Sequence, residues 1–258
     1  MSTLVCFALK EEAAPFRKIA AGGLRRGHQV SVLLTGIGRR NTEKSVRELL
    51  RSAPASGAAV DASSTANAND EASFATREGA RAPQLVLTCG FAGGLDPDLK
   101  LGDVVFEVPL APSLSPPGGE RVSSRTGEGI LSSRLFAAGA KPAKFFCADR
   151  IATTAAEKKK LREETGADAV EMESAAIHAI CAECGIPCAT VRVISDAAGE
   201  DLPLDFNRLA RPDKSLDYGK LLLAVAKSPG KTRELLRLQK NCRFAAEQLA
   251  NVLAKIIW

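Results

Sequence analysis

The chain has 258 residues, of which 45% are hydrophobic and 25% charged, with a formal net charge of +5. That length supports one large domain with an ample core, in the composition range of ordinary globular proteins. The basic balance does not point to nucleic acid. Lys and Arg are scattered, the densest run, Lys158-Lys159-Lys160, reads as a solvated helix face, and one Trp and one Tyr leave few rings for base stacking. No apolar run approaches the ~18–20 residues of a membrane span. The N-terminus runs directly into a strand-like LVCFAL without the layout of a signal peptide, so a cytoplasmic location is expected. Seven cysteines, an odd number without an export signal, argue against a disulfide framework.

Leu4–Leu9 is a continuous apolar run of strand length, which predicts a central strand covered on both faces. Lys10 to Ala20 follows as a helix with Glu11 and Glu12 in its first turn, where acids ordinarily compensate the helix dipole. Val30–Leu34 is a second strand ending in Thr35-Gly36-Ile37-Gly38. Its glycines let backbone amides approach an anion or substrate at the start of a helix over Arg39 to Leu50. Residues 52–82, rich in Ala, Ser, Asn and Asp without an apolar period, read as a surface insertion and not as a domain. Leu85–Cys89 is another buried strand, leading into Gly90-Phe91-Ala92-Gly93-Gly94. GFAGGL lacks the GxGxxG spacing of a dinucleotide fingerprint, which counts against a dinucleotide oxidoreductase. Gly102–Val108 is a further strand, Pro112 to Arg125 a loop, and Lys144–Cys147 leads on to a helix from Thr154 to Thr165.

The stretch 166–196 draws these elements together. On a helix starting near Val170, Met172, Ala176, Ile177 and Ile180 share an apolar arc that also contains Glu173, with Glu171, Ser174 and His178 on the other side. A carboxylate aimed at a core must find a partner or shift its pKa. After the Gly185-Ile186-Pro187 turn, Cys188 to Ser195 is a strand. Alternation puts Thr190, Arg192 and Ile194 on one face, with Asp196 in phase just beyond. Cys181, Cys184 and Cys188 form CxxCxxxC across a helix end, a turn and a strand. With no fourth ligand nearby and neither His28 nor His178 in a paired spacing, small buried side chains are the better reading than a metal site. A loop follows Asp196, then helices over Asp217–Ala226 and Lys231 to Ile257. The alternation of strands and helices predicts one α/β domain, a three-layer α/β/α sandwich around a mixed twisted sheet.

VEMESAA at 170–176 and VRVISD at 191–196, with ALKEE at 8–12, TGIG at 35–38 and CGFAGGLDPDLKLGDVV at 89–105, resemble the purine/uridine phosphorylase superfamily. The likeness is strongest to its methylthioadenosine/S-adenosylhomocysteine nucleosidase branch and covers most of the chain except about 52–82 and the tail after Phe206. Bottom-up, the set is Glu12, Glu173, Arg192 and Asp196: three carboxylates and one cation from separate elements. Such a set suits N-glycosidic cleavage, where anions stabilise an oxocarbenium-like sugar and the leaving base takes a proton. The resemblance implies roles. Asp196 would protonate the purine at N7, and Glu12, assisted by Arg192, would position and deprotonate the attacking water. Glu173 would hold the ribose hydroxyls with Met172 packed on the sugar, and the backbone around Ile151 would meet the purine edge. Ala92, Gly93 and Ser195 would line the pocket, with Phe206 against the 5′ substituent. It further implies a purine-nucleoside substrate, a homodimer and no cofactor.

The competing reading is structural: Glu173 paired to Arg192 in the core, Asp196 capping a loop. Two departures bear on the substrate. Phe91 stands where these nucleosidases carry a small hydroxylated residue, and Arg150 stands in place of an aromatic that would stack on adenine. The tail is similar to nucleosidase-like enzymes of hopanoid pathways that act on adenosylhopane. Hydrolysis of a 5′-substituted adenosine is the leading expectation. Arg39 and Arg40 beside the Gly36/Gly38 loop leave phosphate open as a co-substrate, and a non-catalytic nucleoside-binding module is the reading from another class.

Overall fold

The computed structural model describes residues 2–22, 29–52, 83–107, 123–209 and 230–257. Its centre is set by β1 (Ser2–Phe7), whose apolar run is buried from Thr3 onward. Because successive side chains in a strand point to opposite faces, such a run needs cover on both. Val5 and Phe7 enter one core and Leu4 and Cys6 the other. β1 lies between β2 (Gln29–Leu34) and β3 (Leu85–Gly94), parallel to both.

β3 is parallel to β8 (Cys188–Asp196), which is antiparallel to β4 (Val104–Glu107). β4 in turn pairs with the short β5 (Lys141–Pro142). The sheet therefore runs β2-β1-β3-β8-β4-β5, and β7 (Ala169–Glu171) joins the far end of β3 and carries β6 (Phe145–Cys147). Parallel and antiparallel pairs are mixed, as expected.

On one face, α1 (Lys10–Ala21), α3 (Ser123–Ala137) and α7 (Lys231–Ile257) bury Phe16, Leu135, Leu249 and Leu253 against Val5, Phe7, Val191 and Val193. On the other, α2 (Arg39–Ser52) and α5 (Ser174–Glu183) bring Val46, Ile177 and Ile180 onto Leu4, Cys6 and Val86. α4 (Ala155–Thr165) starts at a Thr154/Glu157 capping box and ends at Gly166, whose φ of 61° is the left-handed stop that glycine accepts freely. A single turn, α6 (Phe206–Leu209), follows the loop after β8. No helix among the described residues is long and apolar enough to cross a membrane.

Three expectations change. β3 does not end at Cys89 but runs on through its glycines to Gly94. The helix expected from Val170 begins only at Ser174, because Ala169 and Val170 pair with Gly94 and Gly93 as a strand. Bare glycine eases that pairing: a Cβ on Gly93 would stand a tight 3.2 Å from Val170 Cγ1. Ser123–Ala137 is helical where a loop was expected to run as far as Arg125. The helix over Asp217–Ala226 and all but the first residue of the 52–82 insertion lie outside the described residues.

Leu249 is 1% exposed within the face that α7 shares with the sheet. Leu249→Ala should therefore cost about 2–5 kcal/mol in denaturant unfolding. A midpoint unchanged from wild type would show that α7 does not belong to the core.

Candidate active site

Arg192 stands in the middle of the sheet, 1% exposed. A guanidinium so placed is costly unless its donors are met by charge and good geometry. Its Nη2 donates to Glu171 Oε2 at 2.6 Å and Thr88 Oγ1 at 3.0 Å. Its Nη1 donates to the Cys89 carbonyl at 3.3 Å and lies 3.3 Å from Glu173 Oε2. Burial alone would lower its pKa, but the carboxylates of Glu171, Glu173 and Glu12 outweigh that and leave it raised.

Glu171 is the fixed counter-ion. Besides Arg192, its Oε2 accepts the backbone N–H groups of Glu173 (2.9 Å) and Ser174 (2.8 Å), and its Oε1 accepts the Ser174 hydroxyl at 2.5 Å. Burial pushes its pKa up, yet Arg192 and these donors prevail and hold it below the usual carboxylate value. A helix over this stretch would turn Glu171 away from Glu173. Instead Glu171 ends β7 and Glu173 lies just before α5, and both carboxylates converge on Arg192.

Glu173 sits just before α5, and its Oε1 accepts the Gly38 N–H at 2.9 Å. The amide that the Thr35–Gly38 turn offers at the start of α2 is therefore taken by a carboxylate of the chain itself. Burial raises the pKa of Glu173, Arg192 opposes, and Glu171 adds to the rise. Glu12 arrives from the first turn of α1. Its Oε2 accepts the Leu9 N–H at 2.9 Å and its Oε1 the Phe91 N–H at 2.8 Å. Burial pushes its pKa up to about 7 against the pull of the Phe91 N–H and Arg192. Gly90, at φ 146°, makes the meeting possible, since a Cβ there would lie 2.7 Å from both Arg192 Nη1 and Glu12 Oε1.

Asp196 stands apart from this cluster, at the end of the same strand. The register slips so that Ala92 faces Ile194 and Gly93 faces Asp196, leaving Ser195 as the extra residue of a bulge. This slip breaks the simple alternation expected from Arg192 to Asp196. Asp196 Oδ1 accepts the Ser195 hydroxyl at 2.6 Å, and Oδ2 meets Lys158 Nζ at 2.5 Å. Lys158 is fully buried, whereas Lys159 and Lys160 are exposed. The solvated-face reading of that run thus holds for two of its three lysines. The thiol of Cys242, on α7, is pushed up to about 11 by burial and then by the carboxylates of Asp196 and Glu12. One side chain of the tail helix thus feels both groups.

The remaining predicted residues lie around these two clusters. Met172 and Ala92 are buried, and Phe206, half-buried, opens α6. Gly93 approaches Asp196 closely enough that an added Cβ would be 3.3 Å from its Oδ2. Ile151 is engaged by one amide: its N–H donates to Asn207 Oδ1 and its carbonyl accepts from Asn207 Nδ2, each at 2.9 Å. Arg150 pairs with Glu157 at the surface. A cleft of about 510 Å³ opens beside Ser195 and Asp196, walled by Lys231, Glu234, Arg237 and Leu238 of α7. A second groove, of about 320 Å³, runs between Phe146–Arg150 and α4. Cys184 is exposed, against the expectation of three buried thiols.

Residues 139–227, which carry Glu171, Glu173, Arg192 and Asp196, match the Phosphorylase superfamily. The similarity to that superfamily is one of sequence and lies in this part of the chain. Among curated relatives, an aminodeoxyfutalosine nucleosidase of Campylobacter jejuni is 31% identical over 140 residues, covering 48% of this chain and 61% of that protein. A 5′-methylthioadenosine/S-adenosylhomocysteine nucleosidase of Mycobacterium bovis is 29% identical over 160 residues, covering 48% and 63%. The match therefore spans about three fifths of these relatives' length. A solved futalosine hydrolase of Helicobacter pylori superposes over 100% of this chain and 97% of its own, with a TM-score of 0.61 at 18% identity. The phosphorylase-like α/β sandwich is thus the observed fold.

The raised pKa of Glu12 has a measurable consequence. In the unfolded chain the group loses its proton near 4.5, in the folded protein near 7. Its contribution to stability is full below about pH 4.5 and is lost as pH rises through about 7. Glu12→Gln cannot titrate, so between pH 5 and 8 its stability relative to wild type should improve by on the order of 2 to 3 kcal/mol. Parallel stability profiles for the two proteins would contradict the shift.

Proposed function

We propose that the protein is a nucleosidase that hydrolyses the N-glycosidic bond of a 5′-substituted adenosine and releases adenine. The observation that carries this reading is the meeting of Glu12, Glu173 and Arg192 in one buried cluster, with Glu12 brought to about 7 by its surroundings. A general base works best with a pKa near the operating pH. In this scheme Glu12 takes a proton from water as the oxygen attacks C1′, and the bond to the base breaks. Asp196 supplies the proton that N7 gains. Glu173 takes the ribose hydroxyls with Met172 beside the sugar, and the surrounding carboxylates offset the positive charge that develops on the ring. Arg192 keeps these acids ionisable at close quarters. Ala92, Gly93 and Ser195 line the site, and Phe206 stands toward the 5′ group.

Two local contacts support the finer choices. An adenine edge offers a donor and an acceptor side by side, the pair that the Asn207 amide presents to Ile151. The base would take these contacts in its place. Hydrolysis is favoured over phosphorolysis because the Gly38 amide is already taken by Glu173 and Arg39 pairs with Glu43 at the surface. Among the described residues, the cleft beside Asp196 mixes Lys231, Glu234 and Arg237 with Leu202, Pro203 and Leu238. Charged groups of both signs beside apolar ones suit a methylthio or homocysteinyl substituent. A homodimer acting without a cofactor belongs to the same proposal.

The test is adenine release from methylthioadenosine. Asp196→Asn and Glu12→Gln should each lower turnover by ~10²–10⁴, the usual worth of acid–base catalysis. In the wild type, kcat/KM should rise as pH rises through about 7, because only ionised Glu12 can accept the proton. Wild-type rates in both variants would overturn the mechanism.

A further inference from the structure

Lys158 has no part in the chemistry above, yet it is a charge with no exposure to solvent. An ammonium in that position must satisfy every donor or the site is not viable. Its three donors find three acceptors: Asp196 Oδ2 at 2.5 Å, the Ala197 carbonyl at 2.8 Å and the Glu200 carbonyl at 2.9 Å. Its neighbours Lys159 and Lys160 face solvent and lie near Glu163 and Glu164 one turn on. A single lysine of the run is turned inward.

The two carbonyls belong to the turn that follows Asp196, where the Glu200 N–H donates to the Ala197 carbonyl at 3.1 Å. That turn is braced against the start of α4, since the Leu202 N–H donates to the Thr153 carbonyl at 2.8 Å and the Ala155 N–H donates to Asp201 Oδ1 at 2.7 Å. Lys158 therefore pins three things at once: the start of α4, the turn, and one oxygen of Asp196. The other oxygen is held by the Ser195 hydroxyl at 2.6 Å. Each oxygen of Asp196 thus has its own partner, and both contacts restrain the orientation of the carboxyl group.

We propose that Lys158 is a positioning residue for Asp196, fixing the orientation of its carboxyl group toward the departing base and stabilising the carboxylate left after the proton is given up. The proposal rests on the reading of Asp196 as the proton donor. A group that supports charge appearing only as the bond breaks acts on kcat and not on substrate affinity. No substrate contact is assigned to Lys158.

Two variants separate this role from simple packing. Lys158→Met keeps the volume of the stem without the charge. It should lower kcat by ~10²-fold, the scale of loss when a catalytic group is misplaced, with KM little changed and the melting temperature followed in parallel. Lys158→Ala leaves space for a small primary amine, and ethylamine should restore part of the lost rate while sodium at equal ionic strength does not. In an Asp196→Asn background, Lys158→Met should cost nothing further, because its effect runs through Asp196. If Asp196→Asn is slow but Lys158→Met turns over like wild type, or if its loss adds in full to that of Asp196→Asn, the positioning role is wrong and the role of Asp196 stands. If Asp196→Asn itself turns over normally, the reading of Asp196 fails and this proposal falls with it.

Discussion

A guanidinium in the middle of a β-sheet has no water to turn to, and everything around Arg192 follows from that. Its counter-charge is distributed over three glutamates from two places in the chain, at distances and with protonation tendencies that differ. Glu171 is saturated with donors and stays ionised. Glu173 and Glu12 are pushed toward protonation by burial and by acidic neighbours, and each has only backbone amides and Arg192 to pull it back. One cation thus sorts chemically identical side chains into a fixed counter-ion and two responsive groups. Environment separates what composition cannot.

The fold serves this sorting by leaving space. β3 carries glycine at both places where the charged groups come close: Gly90 against Glu12 and Arg192, Gly93 against Val170 and Asp196. A side chain at Gly90 would collide with both charged groups, and one at Gly93 would crowd Val170 and Asp196. Those same glycines extend the strand past its apolar half and give β7 a partner. That partner fixes the backbone on which Glu171 and Glu173 are presented. The bulge at Ser195 then sets Asp196 off from Arg192, so one strand supplies a member to each of two separate polar clusters.

Much of this was legible in the chain. The unbroken apolar run of β1, the Gly-Pro turn before β8 and the amphipathic last helix are signals strong enough to place a mixed sheet between helical layers. Glu12 stands out in the first turn of a helix, Glu173 as a carboxylate within an apolar arc, Arg192 as a charge on one face of an apolar strand and Asp196 just beyond it, all four within the motifs that carry the resemblance. What was not legible depends on neighbours distant in sequence. Helical spacing around Met172 is real but begins later, since pairing with β3 and β6 claims Ala169–Glu171 first. That error hid Glu171. Lys158 was hidden by its company, because nothing in three adjacent lysines says which one turns inward. Asn207 gave no signal at all, its role arising from a loop that folds back on Ile151.

We propose water, and not phosphate, as the nucleophile that Glu12 presents to the sugar. Methylthioadenosine incubated with the protein in ¹⁸O-labelled water, with and without phosphate, tests this directly through the mass of the sugar product. Adenine should appear together with a reducing methylthioribose carrying one ¹⁸O, formed equally in both conditions. A sugar 1-phosphate without the label, appearing only when phosphate is present, would contradict it.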